Sequence, residues 1–287
     1  MFIRTLSIER TKLMRRPLPW ILLAVLAATT VLMTAINYLV LNNNLAGNMG
    51  PEVMAEMEQQ VTWPDSLFSA IGIAGGAALG GFLTVILSGT TMAQEYTWRT
   101  LQQWLGRGVP RPLFLAAKFV ALLLPILLMV FVPLLVGGGL TALFTLSLEG
   151  SLGAGDVAWG SLLLRALATA YSLLPYAALT FLLAVATRST VAAVGTGIAF
   201  ALIVEGLLLQ IAAMFSQALA RLSLYLPAGL AQNLLQSQRL MQVSVDGQPV
   251  AGPELLSTGV AVTGIAVYTV LFLTLAVVLF RRQDLND

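Results

Sequence analysis

Long apolar runs alternate along the chain with short polar segments. The runs cover residues 18–41, 67–93, 113–140, 162–186, 191–215 and 258–280. Each is long enough for a helix to cross a hydrocarbon core, which takes about 20 residues. A transmembrane barrel would show short alternating segments instead. The pattern predicts an all-α polytopic membrane protein with six transmembrane helices, in a single domain over residues 1–287. Two further segments have helical spacing without being long enough to span. In residues 1–16, Phe2, Ile3, Leu6, Leu13 and Met14 are expected to face lipid while basic residues reach headgroups, as in an amphipathic interfacial helix. In residues 216–257, Leu219, Leu222, Leu226, Leu230, Leu234 and Met241 recur near helical spacing, interrupted by Pro227 and Gly229. That segment predicts two short amphipathic or re-entrant helices, followed by a turn at Asp246-Gly247.

Composition supports the membrane reading and removes much chemistry. Hydrophobic residues make up 58% of the 287 residues and charged ones 10%, against about 25% charged in soluble domains. Histidine and cysteine are absent, which excludes Ser-His or Cys-His nucleophilic sites, His/Cys zinc sites and disulfides. No metal site is expected. The only lysines are Lys12 and Lys118, and no G-x-x-x-x-G-K-[ST] phosphate loop occurs. The chain is therefore not expected to be an enzyme, and no catalytic residue is assigned.

The net charge of +2 is small, but its distribution sets an orientation. Arg4, Arg10, Lys12, Arg15, Arg16, Arg99, Arg107, Arg111, Lys118, Arg188, Arg281 and Arg282 fall on one side of the six runs. Arg165, Arg221 and Arg239 fall on the other, with most of the acids. Basic residues accumulate in cytosolic loops, so both termini and the 94–112 loop are expected in the cytosol. An even number of spans agrees.

Several features lie inside the runs. Gly72, Gly76 and Gly80 recur at every fourth position of the second run, a spacing that lets another helix approach closely. Packing within the chain and a dimer seam are both compatible with it. Pro125 and Pro133 in the third run favour a kink. Glu205 is the one acid deep in a predicted span, with Gln210 beyond it. Ionisable groups at that depth face a cavity or a partner. Glu205, Gln210 and Arg165 are thus candidate pathway or intramembrane polar contacts, or else Glu205 is a packed, neutral or hydrogen-bonded junction between helices. Arg165 lies near the outer end of the fourth run and is a possible partner for Glu205.

The 94–112 loop is richer than a simple turn requires. Glu95, Tyr96, Trp98, Arg99, Thr100, Leu101 and Trp104 mix charge, aromatic rings and leucine. Such a surface fits a protein partner, or a headgroup-bound helix anchored by Trp98 and Trp104.

The order of these parts resembles the permease subunit of an ABC-2 type transporter, type V exporter-like. Glu9-Arg10-Thr11-Lys12-Leu13-Met14-Arg15 before the first run is similar to that family's E-x-x-K-L-x-R opening. Glu95-Tyr96, Thr100-Leu101, Leu105, Val109-Pro110-Arg111 and Lys118 resemble its acid, Gly-Thr-Leu step, leucine, P-x-R-like turn and lysine. Arg99 stands where the family commonly has glycine. The six-span plan with an outer helical excursion before the last span completes the likeness. The resemblance implies a coupling helix within residues 94–112, seated on a cytosolic ABC ATP-binding subunit, with Glu95, Tyr96, Trp98, Arg99, Thr100 and Leu101 as its surface. It also implies a second permease subunit, ATP and Mg bound only by the partner ATPase, and export of hydrophobic or amphipathic cargo. The implied location is a bacterial or archaeal plasma membrane, with the lipid bilayer but no nucleic acid as a further partner. Two other classes fit the sequence less well. A stand-alone secondary transporter or channel would have to use Glu205, and a membrane-embedded enzyme has little to catalyse with.

Overall fold

The structure is a computed structural model describing residues 1–42, 50–106, 108–150, 157–208, 211, 214–243 and 256–283. Among the described residues it is helical, with no strand. Helix α1 (Phe2–Arg15) precedes α2 (Pro17–Asn42). Short α3 (Pro51–Val61) and α4 (Ser66–Ile73) follow, then α5 (Leu79–Thr97) and α6 (Thr100–Gly106). Long α7 (Arg111–Glu149) leads to α8 (Trp159–Ser172), α9 (Leu174–Thr187) and α10 (Thr190–Ala199), which continues as a π-helical stretch, Phe200–Leu208. Helices α11 (Gln217–Leu224), α12 (Pro227–Val243) and α13 (Thr258–Arg282) complete the order.

Among the described residues, five helical stretches are long and apolar enough to cross a membrane: Pro17–Asn42, Arg111–Ser147, Trp159–Thr187, Thr190–Leu207 and Thr258–Arg282. The chain is an integral membrane protein on that ground. The expectation of one continuous helix over residues 67–93 is corrected. Helix α4 stops at Ile73 and α5 starts at Leu79, with residues 74–78 between them. The cause lies in the glycines. A Cβ at Gly80 or Gly81 would collide with the backbone of Ala74 or Gly76, so the chain folds tightly back on itself at this break. Gly72, Gly76 and Gly80 consequently do not form one strip on a helix face. Of the three, Gly76 makes the close approach to another helix, where a Cβ would sit 2.7 Å from the Ser172 carbonyl of α8.

Helix α7 has 39 residues and runs unbroken through Pro125 and Pro133. At about 1.5 Å per residue it is roughly 58 Å long, well beyond a hydrocarbon core of about 30 Å. Its middle, with Leu122, Ile126, Met129 and Val130 buried, is the centre of the main core. Phe119 meets Phe181 of α9 edge-to-face, with ring centroids 5.8 Å apart. In lipid, helix association depends on close van der Waals fit rather than on expelling water. Small residues supply that fit here. A Cβ on Gly137 would lie 2.8 Å from Ala70 of α4, and one on Gly89 would lie 2.7 Å from Thr180 of α9. A smaller core gathers Ala168, Leu230, Leu234, Ala261 and Ile265, joining α8, α12 and α13.

The helix expected at the N-terminus is present, but its faces differ from the expectation. Leu13 is 3% exposed and packs into the main core, while Phe2 and Ile3 are exposed. The two helices expected in residues 216–257 are α11 and α12, separated at residues 225–226 just before Pro227. The expected turn at Asp246-Gly247 lies outside the described residues.

Candidate functional site

The polar features gather where α1, the end of α5, α6 and the start of α7 meet. Glu95 is fully buried two residues beyond the apolar run. The Nζ of Lys118 in α7 lies 2.8 Å from Glu95 Oε1 and 2.8 Å from Glu9 Oε2 of α1. Lys12 pairs with the same Glu95 oxygen, and the Arg16 guanidinium is 3.7 Å from it. Thr100 donates its hydroxyl proton to the other Glu95 oxygen. Arg16 also donates to Gln94 at 2.7 Å, and its guanidinium lies 4.6 Å from the Trp98 ring centre. Two acids and three bases therefore share one cluster, with Glu9, Glu95 and Lys118 buried and Lys12 and Arg16 half-buried. Burial alone would raise the Glu95 pKa. The charge and hydrogen bond of Lys118, with hydrogen bonds from Lys12 and Thr100, outweigh it and bring the group down to about 2. Burial lowers the pKa of Lys12 and of Arg16.

A second set of bonds ties in the C-terminal helix. Arg111 donates to the carbonyls of Phe280, Arg281 and Gln283 at 3.2, 3.0 and 2.8 Å. These carbonyls end α13, where a cation offsets the negative end of the helix dipole. Gln283 accepts from the Tyr96 hydroxyl at 2.8 Å and donates to Val185 of α9 at 2.7 Å. Burial pushes the Tyr96 phenol upward. Both ends of the described chain thus meet at one end of the bundle.

The turn between α5 and α6 bends through Arg99, whose φ is 53°. That left-handed backbone is one glycine adopts at no steric cost, at the position where the resembled family commonly has glycine. Beside it lies a cleft of about 300 Å³ lined by Glu95, Tyr96, Thr97, Arg99, Leu101 and Arg188, among others. Arg188 is also left-handed, at φ 55°, where it caps α9.

The residues predicted for the coupling surface divide by exposure. Trp98 is 53% exposed, Arg99 is exposed, Tyr96 and Thr100 are half-buried, and Glu95 and Leu101 are buried. Thr97, Gln102 and Arg188 join them without having been predicted. So do the bracing residues Glu9, Lys12, Arg16 and Lys118. The signals for these were the rarity of lysine, which occurs at only two positions, and the motifs of the resemblance, which include Glu9, Lys12 and Lys118.

Glu205 is elsewhere. It sits in the π-helical stretch, accepts from the Tyr176 hydroxyl at 2.7 Å and from the Ala228 N–H at 3.2 Å. Ala228 is in the first turn of α12, where a carboxylate meets the positive end of the helix dipole. Arg165 is buried over the Phe68 ring at 5.8 Å, and the structure does not bring it to Glu205 as an ion pair. Gln210 lies outside the described residues.

A comparison with curated proteins gives no match. The chain belongs to the family described as "Protein of unknown function (DUF2705)", which it matches over residues 30–286.

Proposed function

We propose that this chain is the membrane-spanning permease subunit of an ATP-driven ABC transporter of the ABC-2 type, exporting hydrophobic or amphipathic cargo. ATP and Mg would bind a separate cytosolic subunit, and two permease chains would pair. The observation that carries the reading is the braced α5–α6 elbow. Its inner side, Glu95 and Leu101, is locked into the bundle, while Trp98 and Arg99 project outward beside the 300 Å³ cleft. A rigid base under exposed tryptophan and arginine fits a docking surface, since those residues dominate interface hot spots. Motion delivered to the elbow would reach α1 through Glu9 and Lys118, and α13 through Arg111. The meeting of both chain ends supports six crossings, with α4 and α5 together forming the broken one. The twelve-to-three division of basic residues supports placing that end in the cytosol.

Affinity purification from native membranes, followed by measurement of ATP turnover, tests this. A soluble subunit carrying a phosphate loop is expected to copurify. Trp98→Ala and Arg99→Glu are each expected to weaken its binding by about thirtyfold, a hot-spot-sized loss, with the bundle intact. Absence of such a subunit, or turnover unchanged by both substitutions, overturns the proposal.

A further inference from the structure

At the end of the bundle opposite α1 and α6, a crevice of about 380 Å³ opens between α2, α4 and α7. Its size falls within the range of small-molecule sites. Its lining mixes apolar surface with hydroxyl and amide groups, and among the described residues that line it none is charged. Some of the polarity is internally satisfied. Ser66 donates to Thr141 at 2.8 Å, and Thr141 donates to the Gly137 carbonyl at 2.9 Å.

Three other groups keep capacity facing the space. Thr29 and Thr30 of α2 each donate to the carbonyl four residues back, at 2.9 Å. Thr34, on the same helix and 8% exposed, makes no such bond and lines the crevice. Asn37 donates to Gln60 at 2.8 Å. That single bond leaves the Asn37 carbonyl oxygen and the Gln60 amide protons for another partner, because each amide carries an acceptor and two donors. Polar groups at membrane depth are costly unless satisfied. Alongside, Met33 and Ile36 of α2 are 48% and 42% exposed, giving an apolar strip next to the polar hollow. Gly72 lines the crevice too, and a Cβ there would meet nothing within 4 Å. Space at that point is therefore kept open by the missing side chain, not used for helix contact.

We propose that this crevice binds the uncharged, hydroxyl-bearing headgroup of an amphiphile, recognised by Thr34, Asn37 and Gln60, with its tail along Met33 and Ile36. A carboxylate or phosphate headgroup would find no cation among the described lining residues to offset its desolvation. Binding needs no ATPase partner and holds whether or not the chain transports.

The test uses the full chain in phosphatidylcholine nanodiscs. One probe is a monoacylglycerol carrying a diazirine in its acyl chain; the comparator is the fatty acid with the same chain, kept anionic by working at about pH 9, since a bilayer raises the carboxyl pKa. After photolysis, labelled peptides of α2 and α7 are quantified. The monoacylglycerol is expected to label them about tenfold more than the fatty acid, as one or two net hydrogen bonds would give. Gly72→Leu, which fills the hollow, is expected to bring labelling down to the fatty-acid level. Thr34→Val combined with Asn37→Leu keeps the shape and is expected to erase the difference between probes, which decides the matter if Gly72→Leu does not purify as a folded chain. Equal labelling by both probes in the unaltered chain, or a preference that survives the Thr34→Val/Asn37→Leu change, overturns the proposal.

Discussion

Where α1, α5, α6 and α7 meet, Glu9, Lys12, Arg16, Glu95 and Lys118 hold three helices through buried charge. At the opposite end of the bundle, α2, α3, α4 and α7 are joined by neutral groups: Asn37 to Gln60, Ser66 to Thr141, and the Trp63 N–H to Thr145. Tyr38 stacks on Phe144 there, with ring centroids 4.2 Å apart. The two arrangements respond differently to disturbance. Charges in a buried cluster demand one geometry, because removing a partner leaves another charge uncompensated. Neutral hydrogen bonds are individually modest, so the neutral end can rearrange at less cost. A molecule built this way has one end suited to transmitting motion as a unit and one suited to opening.

The largest expected effect comes from breaking the charged end. Lys118→Met removes the buried cation between Glu9, 3% exposed, and Glu95, 0% exposed, leaving Glu9 with Lys12 at 4.0 Å and Glu95 with Lys12 and Arg16. The loss should be about 3 kcal/mol, the low end of the usual cost of breaking a buried ion pair, because those two cations remain. Ser66→Ala at the neutral end should cost only about 1 kcal/mol. Unfolding midpoints in detergent, compared side by side, measure both. Adding Glu9→Gln to Lys118→Met should recover part of the loss, since one poorly compensated carboxylate is then removed. Equal losses at the two ends would erase the contrast.

Acid offers a milder disturbance of the same cluster. Glu95 is held at about 2, below its ordinary 4.5. A depressed carboxylate contributes stability that is complete above the unfolded value and is lost as pH falls from there toward the folded one. The charged end should therefore loosen between about pH 4.5 and pH 2, while the neutral end stays as it is. Protease cleavage near residues 1–16, followed at pH 7 and pH 3, should rise at the lower value. Glu95→Gln should remove the pH dependence at the expense of stability throughout.

These contrasts show what could be read from the chain and what could not. Long apolar runs place α2, α7 and α13 because length and hydropathy suffice for a membrane crossing. The break at residues 74–78 is hidden, since Ala74, Gly75, Gly76, Ala77 and Ala78 do not interrupt the apolar run. Only close backbone contact, which hydropathy does not encode, reveals it. The segment over residues 94–112 stands out locally because charge and aromatics interrupt an apolar chain. Its bracing does not: Glu9 and Lys118 are 109 residues apart, and their meeting depends on how α1 lies against α7. Glu205 was visible as a polar group at depth. Its role as an anchor for the first turn of α12 needed the position of Ala228.

The smallest expected effect separates folding from docking at one residue. Arg99 occupies a left-handed conformation at φ 53°, which costs a non-glycine residue about 1–2 kcal/mol. Arg99→Gly relieves that cost but gives the unfolded chain more freedom, an offset of up to about 1 kcal/mol. The net expectation is a gain of about 0.5–1 kcal/mol in stability, read as a slightly higher unfolding midpoint. The same substitution removes an exposed guanidinium from the elbow, so attachment of the proposed ATP-binding subunit should weaken while the bundle firms up. Opposite movement of the two readouts would mean that the side chain serves the partner and the backbone turn serves the fold. A lower midpoint would mean that the Arg99 side chain braces the elbow as well, and the charged end would then extend further outward than the Glu95 cluster.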